Sequence, residues 1–221
     1  MHFNESVIAT RRSVHAICEH ILAGVRHGDR GKIGLRCSDG RVHTGPLSDG
    51  STVGVVGDEL FRSGADGEKR APITTLRDAG RFAGIEPGVP GRLWEPITTF
   101  DLDGALSVNA AAFAELVAWF DLVIAALESL QESDPEADWA AVTLWPEHFD
   151  LATSARSVNV GGSGGDAYHE LPYAYVGPFD RSGLADDDRW NAPFGSFRPA
   201  TDVDAASLVM YFADDYRHAA R

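Results

Sequence analysis

A chain of 221 residues, 44% apolar and 24% charged, can bury most of its apolar surface in one core, which excludes a disordered or fibrous chain. Its 33 acidic residues against 19 basic ones leave a formal net charge of −14, with no basic run beyond Arg11-Arg12. A field of that sign repels phosphate, which needs clustered cations to bind, so neither nucleic acid nor an anionic membrane is an expected partner.

In chain order, the first predicted helix spans Thr10 to Val25, with Val14, Ile17, Cys18, Ile21 and Val25 on one stripe and Gly28 and Gly31 ending it. Strands follow at Ile33 to Cys37, Arg41 to Thr44 and Thr52 to Val56, continued by Leu60-Phe61. Asp39-Gly40 is a hairpin turn, since Gly accepts the positive φ it demands. Thr75-Leu76-Arg77-Asp78 has capping-box spacing and opens a short helix that stops near Gly84. The Pro- and Gly-rich passage from Glu86 to Pro96 reads as a linker between halves 1–90 and 97–221 of one domain, 1–221.

The longest predicted helix runs from Ser107 to Gln131 and carries Phe113, Leu116, Val117, Phe120, Ile124 and Leu127 on one stripe. Trp119 and Leu122 fall on other faces, so it is expected to be covered on more than one side. Strands are predicted at Ala141 to Trp145, Phe149 to Ser154, Ser157 to Val160 and Tyr173 to Val176. Residues 177 to 202 show no period, which points to a lid, a binding loop or a mobile segment. A last helix, from Asp202 to Ala219, is capped by Asp202 or Thr201. The fold class is α+β, a mostly antiparallel sheet packed by a long central helix, with an N-terminal and a C-terminal helix. The element order repeats, and Ser51-Thr52-Val53-Gly54-Val55 against Ser157-Val158-Asn159-Val160 is the best match for an internal pseudo-repeat.

Cys18 and Cys37 are expected to be buried, reduced thiols. No basic and apolar leader opens the chain, and no apolar run approaches the roughly 20 residues of a membrane span, so a cytoplasmic protein is expected.

Chemistry is densest between Leu144 and Pro178. If Glu147 to Leu151 is extended, His148 and Asp150 share one strand face. They form either a structural His–Asp pair, two ligands of a mononuclear divalent metal with His169 as the third, or part of a metal-free binding site. Gly161-Gly162-Ser163-Gly164-Gly165-Asp166 reads either as a hairpin tip or as a backbone cradle for a ligand. Tyr173 and Tyr175 share a strand face and supply hydroxyls. Arg11, His15 and Glu19 form an i, i+4 ladder, read as surface support or with His15 facing the site; His20 and His27 are expected to be solvated. Asp101 to Gly104 is too short for a calcium loop, and Asp186 to Asp188 is a solvated acidic run. No nucleophile elbow is expected, and hydrolysis through Ser or Cys is disfavoured.

Leu144-Trp145-Pro146-Glu147-His148-Phe149-Asp150-Leu151-Ala152, followed by the Gly-Asp turn and Leu171-Pro172-Tyr173-Ala174-Tyr175-Val176, resembles a bacterial domain family of unknown function. That family's pattern reads W-P-H-H-F-D-L, a Gly-Asp turn, then P-E-P-Y-x-Y-V. The likeness covers about 35 residues, extends weakly to Ser13-Val14-His15, and departs at Glu147, where the pattern has its first His. It implies that His148, Asp150, Asp166 and Tyr173 form one unit, and it brings no activity. The expected function is a small-molecule-binding or accessory domain with a pocket lined by His148, Asp150, Asp166, His169, Tyr173 and Tyr175. The alternatives are a metal-dependent oxygenase or hydrolase using His148, Asp150 and His169, and a structural or oligomer-forming protein.

Overall fold

A cap at Asn4 starts the N-terminal helix earlier than its apolar period predicts. In the computed structural model, which describes residues 3–182, 184 and 187–220, Asn4 Oδ1 accepts the N–H of Ser6 and Val7 and opens α1 (Glu5–Ile17). The helix runs on through a π-helical turn (Cys18–Leu22) into α2 (Ala23–Arg30), where Gly31 takes φ 66° and ends it. The π turn inserts a residue into the helical repeat, so a stripe read straight through the sequence changes face here. Both sides of the helix are buried. Arg11, His15, Glu19 and His20 are as enclosed as Val14, Ile17 and Ile21, which corrects the expectation of a surface ladder and a solvated His20.

Strands β1 (Arg36–Ser38), β2 (Arg41–His43), β3 (Thr52–Val56), β4 (Glu59–Gly64) and β5 (Gly67–Pro72) form an antiparallel meander in chain order. Asp39 and Gly40 turn the first hairpin with φ of 54° and 74°, as a two-residue turn with positive φ at both positions requires. β5, Gly-Glu-Lys-Arg-Ala-Pro, escapes the apolar pattern because it is an exposed edge strand whose charges blunt it. Thr75 caps α3 (Leu76–Ala83), and Gly84 ends it at φ 78°. The long helix is α4 (Ala110–Ser133), and Phe113, Leu116, Trp119, Phe120, Val123 and Leu127 on it are all buried. It has 24 residues, and an 18-residue stretch of it with mean hydropathy 1.9 is long and apolar enough to cross a membrane by length and composition, contrary to the count of unbroken apolar residues, but half of that stretch is buried inside the protein.

Strands β6 (Thr143–Trp145), β7 (Asp150–Ala155), β8 (Val158–Ser163), β9 (Tyr173–Pro178) and β10 (Ser196–Pro199) form a second antiparallel meander, ordered β10-β9-β8-β7-β6. β10 and the 3-10 turn Ala200–Asp202 occupy the end of the stretch expected to be structureless. α5 (Ala205–Ala219) is capped by Asp204 in a reciprocal box with Ser207, two residues past the predicted cap. Cys18 and Cys37 are both buried, and neither is in a disulfide.

Two compact units divide the chain, residues 3–118 with 144–149 and residues 119–143 with 150–220, so the boundary falls within α4 and the Glu86–Pro96 passage lies inside the N-terminal unit. Within the C-terminal unit, one sheet face carries Leu151, Val160, Gly162 and Val176, and Val123 and Trp119 of α4 pack on Gly162, where a Cβ would stand 2.4 Å from Val123.

The two meanders share a local device. In each, the middle strand holds a glycine paired with an aromatic on the next strand: Gly54 with Phe61, Gly161 with Tyr175. A Cβ on Gly54 would stand 2.3 Å from Val42 O and 2.7 Å from the Phe61 ring; one on Gly161 would stand 2.4 Å from Leu151 O and 2.8 Å from the Tyr175 hydroxyl. The side chain at the equivalent place on the second strand reaches the same aromatic, Arg41 over the Phe61 ring and Asp150 at the Tyr175 hydroxyl. The best sequence match between halves therefore falls on the two middle strands. Gly161→Ala is expected to lower stability by about 1–3 kcal/mol in denaturant titration, since the clash is partly with backbone. A change within about 0.5 kcal/mol would show that the strands shift freely.

Candidate functional site

The W-P-E-H-F segment is a turn rather than a strand. Phe149 takes φ 52°, and its N–H donates to Trp145 O at 2.8 Å. His148 is therefore exposed on a turn, while Asp150 starts β7 and belongs to the other unit. The two do not project from one strand face as expected, because the left-handed residue between them breaks the alternation. His15 Nε2–H donates to Pro146 O at 3.1 Å and its ring stacks on Phe149 at 5.5 Å, so it pins this turn to α1. Burial above all, opposed by Glu19 and aided by Arg11, pushes the His15 pKa down to about 4. It is a neutral donor inside the N-terminal unit.

Glu19 is the other buried charge of that helix. Its oxygens accept Trp94 Nε1–H, Ile97 N–H and Thr98 N–H, each at 2.9 Å, and the Thr98 hydroxyl at 2.5 Å. Burial alone would raise its pKa, and these hydrogen bonds instead hold it below the usual carboxylate value. The expected linker is thus a strap tied to the helix by one carboxylate, a role that the sequence signals only through Glu19 lying next to Cys18 on a helix otherwise rich in buried apolar residues.

Asp150, Asp166, His169, Tyr173 and Tyr175 come together in the C-terminal unit, on the sheet face opposite Gly162. Asp166 Oδ1 accepts the N–H of Tyr168 and His169, and its Oδ2 accepts the Tyr173 hydroxyl at 2.7 Å. Tyr175 donates to Asp150, and Asn159 Nδ2 lies 3.4 Å from the Tyr175 hydroxyl. The Tyr173 ring has Phe197, His169, Phe194, Tyr168 and Tyr175 at centroid distances of 5.1 to 6.3 Å. Burial, and then the neighbouring carboxylates, push both phenols well above their ordinary pKa. Both are fixed donors already engaged by carboxylates, with their rings packed against one another. This cluster holds the β8–β9 hairpin together. The glycine run belongs to it: Gly161 and Gly162 lie within β8, and Gly165 turns at φ 105°.

That run also spells G-x-S-x-G, Gly161 to Gly165, the letters of the nucleophile elbow that was not expected. Ser163 ends β8 with 2% exposure, its Oγ accepts the Gly165 N–H at 3.0 Å, and a hairpin rather than a helix follows. A nucleophile elbow needs a strand-to-helix turn that lifts the Ser into the open, so the motif is met in letters alone. In the N-terminal unit, Ser38, Asp39 and His43 mimic a triad. Gly45 N–H donates to His43 Nδ1 at 3.0 Å, so the neutral ring carries its proton on Nε2 and donates to Ser38 Oγ at 3.1 Å. A ring oriented that way does not take the Ser proton.

A cleft of about 800 Å³ opens in the C-terminal unit between α5, β10 and residues 188–191. Ser207, Met210, Tyr211, Asp214 and Asp215 recur at helical spacing and give α5 one face of it. Ser196 Oγ and the Tyr211 hydroxyl are 2.7 Å apart, and the Arg198 guanidinium lies 4.9 Å above the Tyr211 ring. Arg189 donates to the buried Asp215 at 2.6 Å. Asn191 closes the outer edge of β10, its Oδ1 accepting Phe197 N–H at 2.8 Å and its Nδ2 donating to Phe197 O at 3.1 Å. That edge is satisfied and does not invite another strand. Of the acidic run at 186–188, Asp186 lies outside the described residues, Asp187 pairs with His218, and Asp188 lines the cleft.

Among the described residues, no three His, Cys, Asp or Glu side chains group as a metal would need, so the set His148, Asp150 and His169 is not assembled. Comparison of the chain with protein-family models, with curated proteins and with solved structures gives no match, and the likeness over residues 144–178 stands on its motif alone.

Proposed function

We propose that this chain is a small-molecule-binding protein of the cytoplasm and that the cleft between α5 and β10 is its binding site. The cleft itself carries the reading. About 800 Å³ is within the range of small-ligand pockets, and an aromatic floor, two arginines and a hydroxyl pair converge on it. The Asp150–Tyr175 and Asp166–Tyr173 cluster is the rigid wall behind β10, because its hydroxyls are already committed to carboxylates.

A small-molecule library screened by thermal shift on the full chain tests this. A ligand at about 100 times its Kd adds roughly 2.7 kcal/mol, which for a chain of this size raises the Tm by roughly 5–10 °C. Met210 is 60% exposed at the lip of the cleft, so Met210→Trp fills the opening without touching the core. Hits are expected to stabilise the wild type and to lose that effect in M210W. Hits that stabilise both equally, or a library without hits, would sink the reading.

A further inference from the structure

The cleft lining is electrically two-sided. Arg189 is neutralised by Asp215 at 2.6 Å, whereas Arg198 is held only against the Tyr211 face and, among the described residues, has no carboxylate within ion-pair distance. Against it stand Asp188, Asp202 and Asp214. Asp214 faces Arg217 at 3.4 Å with both side chains more than 60% exposed, a contact too solvated to neutralise it. Among the described residues, Asp202 accepts only from its neighbour Thr201. Apolar surface is interleaved with these charges through Met210 and Val203.

We propose that the cleft binds a small zwitterion of the α-amino-acid or short-peptide class, with its carboxylate on Arg198, its ammonium among Asp188, Asp202 and Asp214, and an apolar side chain against Met210. This rests on the cleft being the binding site. A guanidinium held over an aromatic ring and without a carboxylate partner has its N–H fork available for a planar carboxylate. The excess of carboxylates around it rejects simple anions, since a lone carboxylate or phosphate meets three negative charges for one positive. A simple amine finds the acids but leaves Arg198 unpaired. A molecule with both charges satisfies both sides, and the apolar residues between them give its side chain a surface.

The test compares leucine and the dipeptide Gly-Leu with isoamylamine, which is leucine without its carboxylate, and 4-methylpentanoate, which is leucine without its ammonium. Binding to the full chain is followed by calorimetry and by the NMR signals of cleft residues. Leucine or Gly-Leu is expected to bind at least tenfold more tightly than either single-charge analogue. Arg198→Gln, at an exposed position, should bring the zwitterion down to the level of the amine, and Asp202→Asn with Asp214→Asn should bring it to the level of the carboxylate. If isoamylamine binds as tightly as leucine, the zwitterion proposal is overturned and the cleft is a cation site. If none of the four binds while other ligands remain sensitive to M210W, the ligand class falls and the binding site stands. If no ligand of any class is sensitive to M210W, both fall together.

Discussion

Glu19→Ala is expected to lower the free energy of unfolding by about 3–5 kcal/mol, because it leaves four donors in a closed environment without their acceptor. Trp94 Nε1, the N–H groups of Ile97 and Thr98 and the Thr98 hydroxyl all converge on this carboxylate, which is fully enclosed. No other described side chain ties the strap at 94–98 to the helix at Cys18–Leu22 through so many bonds; the next links are His20 Nε2 to the Thr98 hydroxyl at 2.9 Å and Gly88 N–H to His20 O. Glu19→Gln keeps the shape and one acceptor oxygen, so two of the donors would face an amide NH₂; its loss should fall between wild type and Ala. Urea denaturation of the three chains measures both. A loss below about 1 kcal/mol for the Ala variant would mean that water replaces the carboxylate and that the strap is not anchored by it. The depressed pKa adds a second readout. Because Glu19 titrates below its unfolded value, its contribution is present above about pH 4.5 and fades as the pH falls through the folded value.

The elements whose causes are local were legible in the sequence. The Asp39-Gly40 turn, the Thr75 cap, Gly84 as a stop and the long helix of α4 each follow from a residue and its immediate neighbours. The edge strand β5 was not, because its Glu, Lys and Arg serve to keep the edge unpaired and leave no apolar period. On the N-terminal helix the apolar stripe of Val14, Ile17, Cys18 and Ile21 is buried as read, but the polar side is buried too, because His15 meets Pro146 O and Glu19 meets the strap at 94–98, partners distant in sequence that no period reveals. The glycine run was read as a loop or a cradle, yet Gly161 and Gly162 are strand residues kept small by Tyr175 on one face and by Val123 on the other.

The candidate site shows the same division. The Asp166–Tyr173 and Asp150–Tyr175 pairs lie within one hairpin system, so clustering in sequence found them, though as wall rather than as ligand contacts. His148 fell away because one left-handed residue, Phe149, separates it from β7. The cleft was hidden in the sequence because its two sides come from a stretch without period, 188–203, and from the less apolar face of α5, where Ser, Met, Tyr and Asp look like ordinary solvated helix. Only the fold brings Arg198 onto Tyr211.

Acidification is expected to destabilise the protein well before its carboxylates titrate, and His15 is the reason. In the folded chain its pKa lies at about 4, lowered mainly by burial, with Arg11 and His148 adding to that effect and Glu19 and Pro146 O opposing it. In the unfolded chain it returns to about 6.5. Between those values the unfolded state binds a proton that the folded state does not, so stability rises with pH across the window and is lost as pH falls through it. The full span corresponds to about 3 kcal/mol. His20 and His43 are also depressed, first by burial, and slope in the same direction. His15→Gln keeps an N–H to donate to Pro146 O but has nothing to protonate. It should therefore flatten the dependence of the denaturation midpoint between about pH 6.5 and pH 4, leaving the smaller share of the other two histidines. An unchanged slope in His15→Gln would place the acid sensitivity elsewhere and would mean that the 145–149 turn opens to let His15 protonate in water.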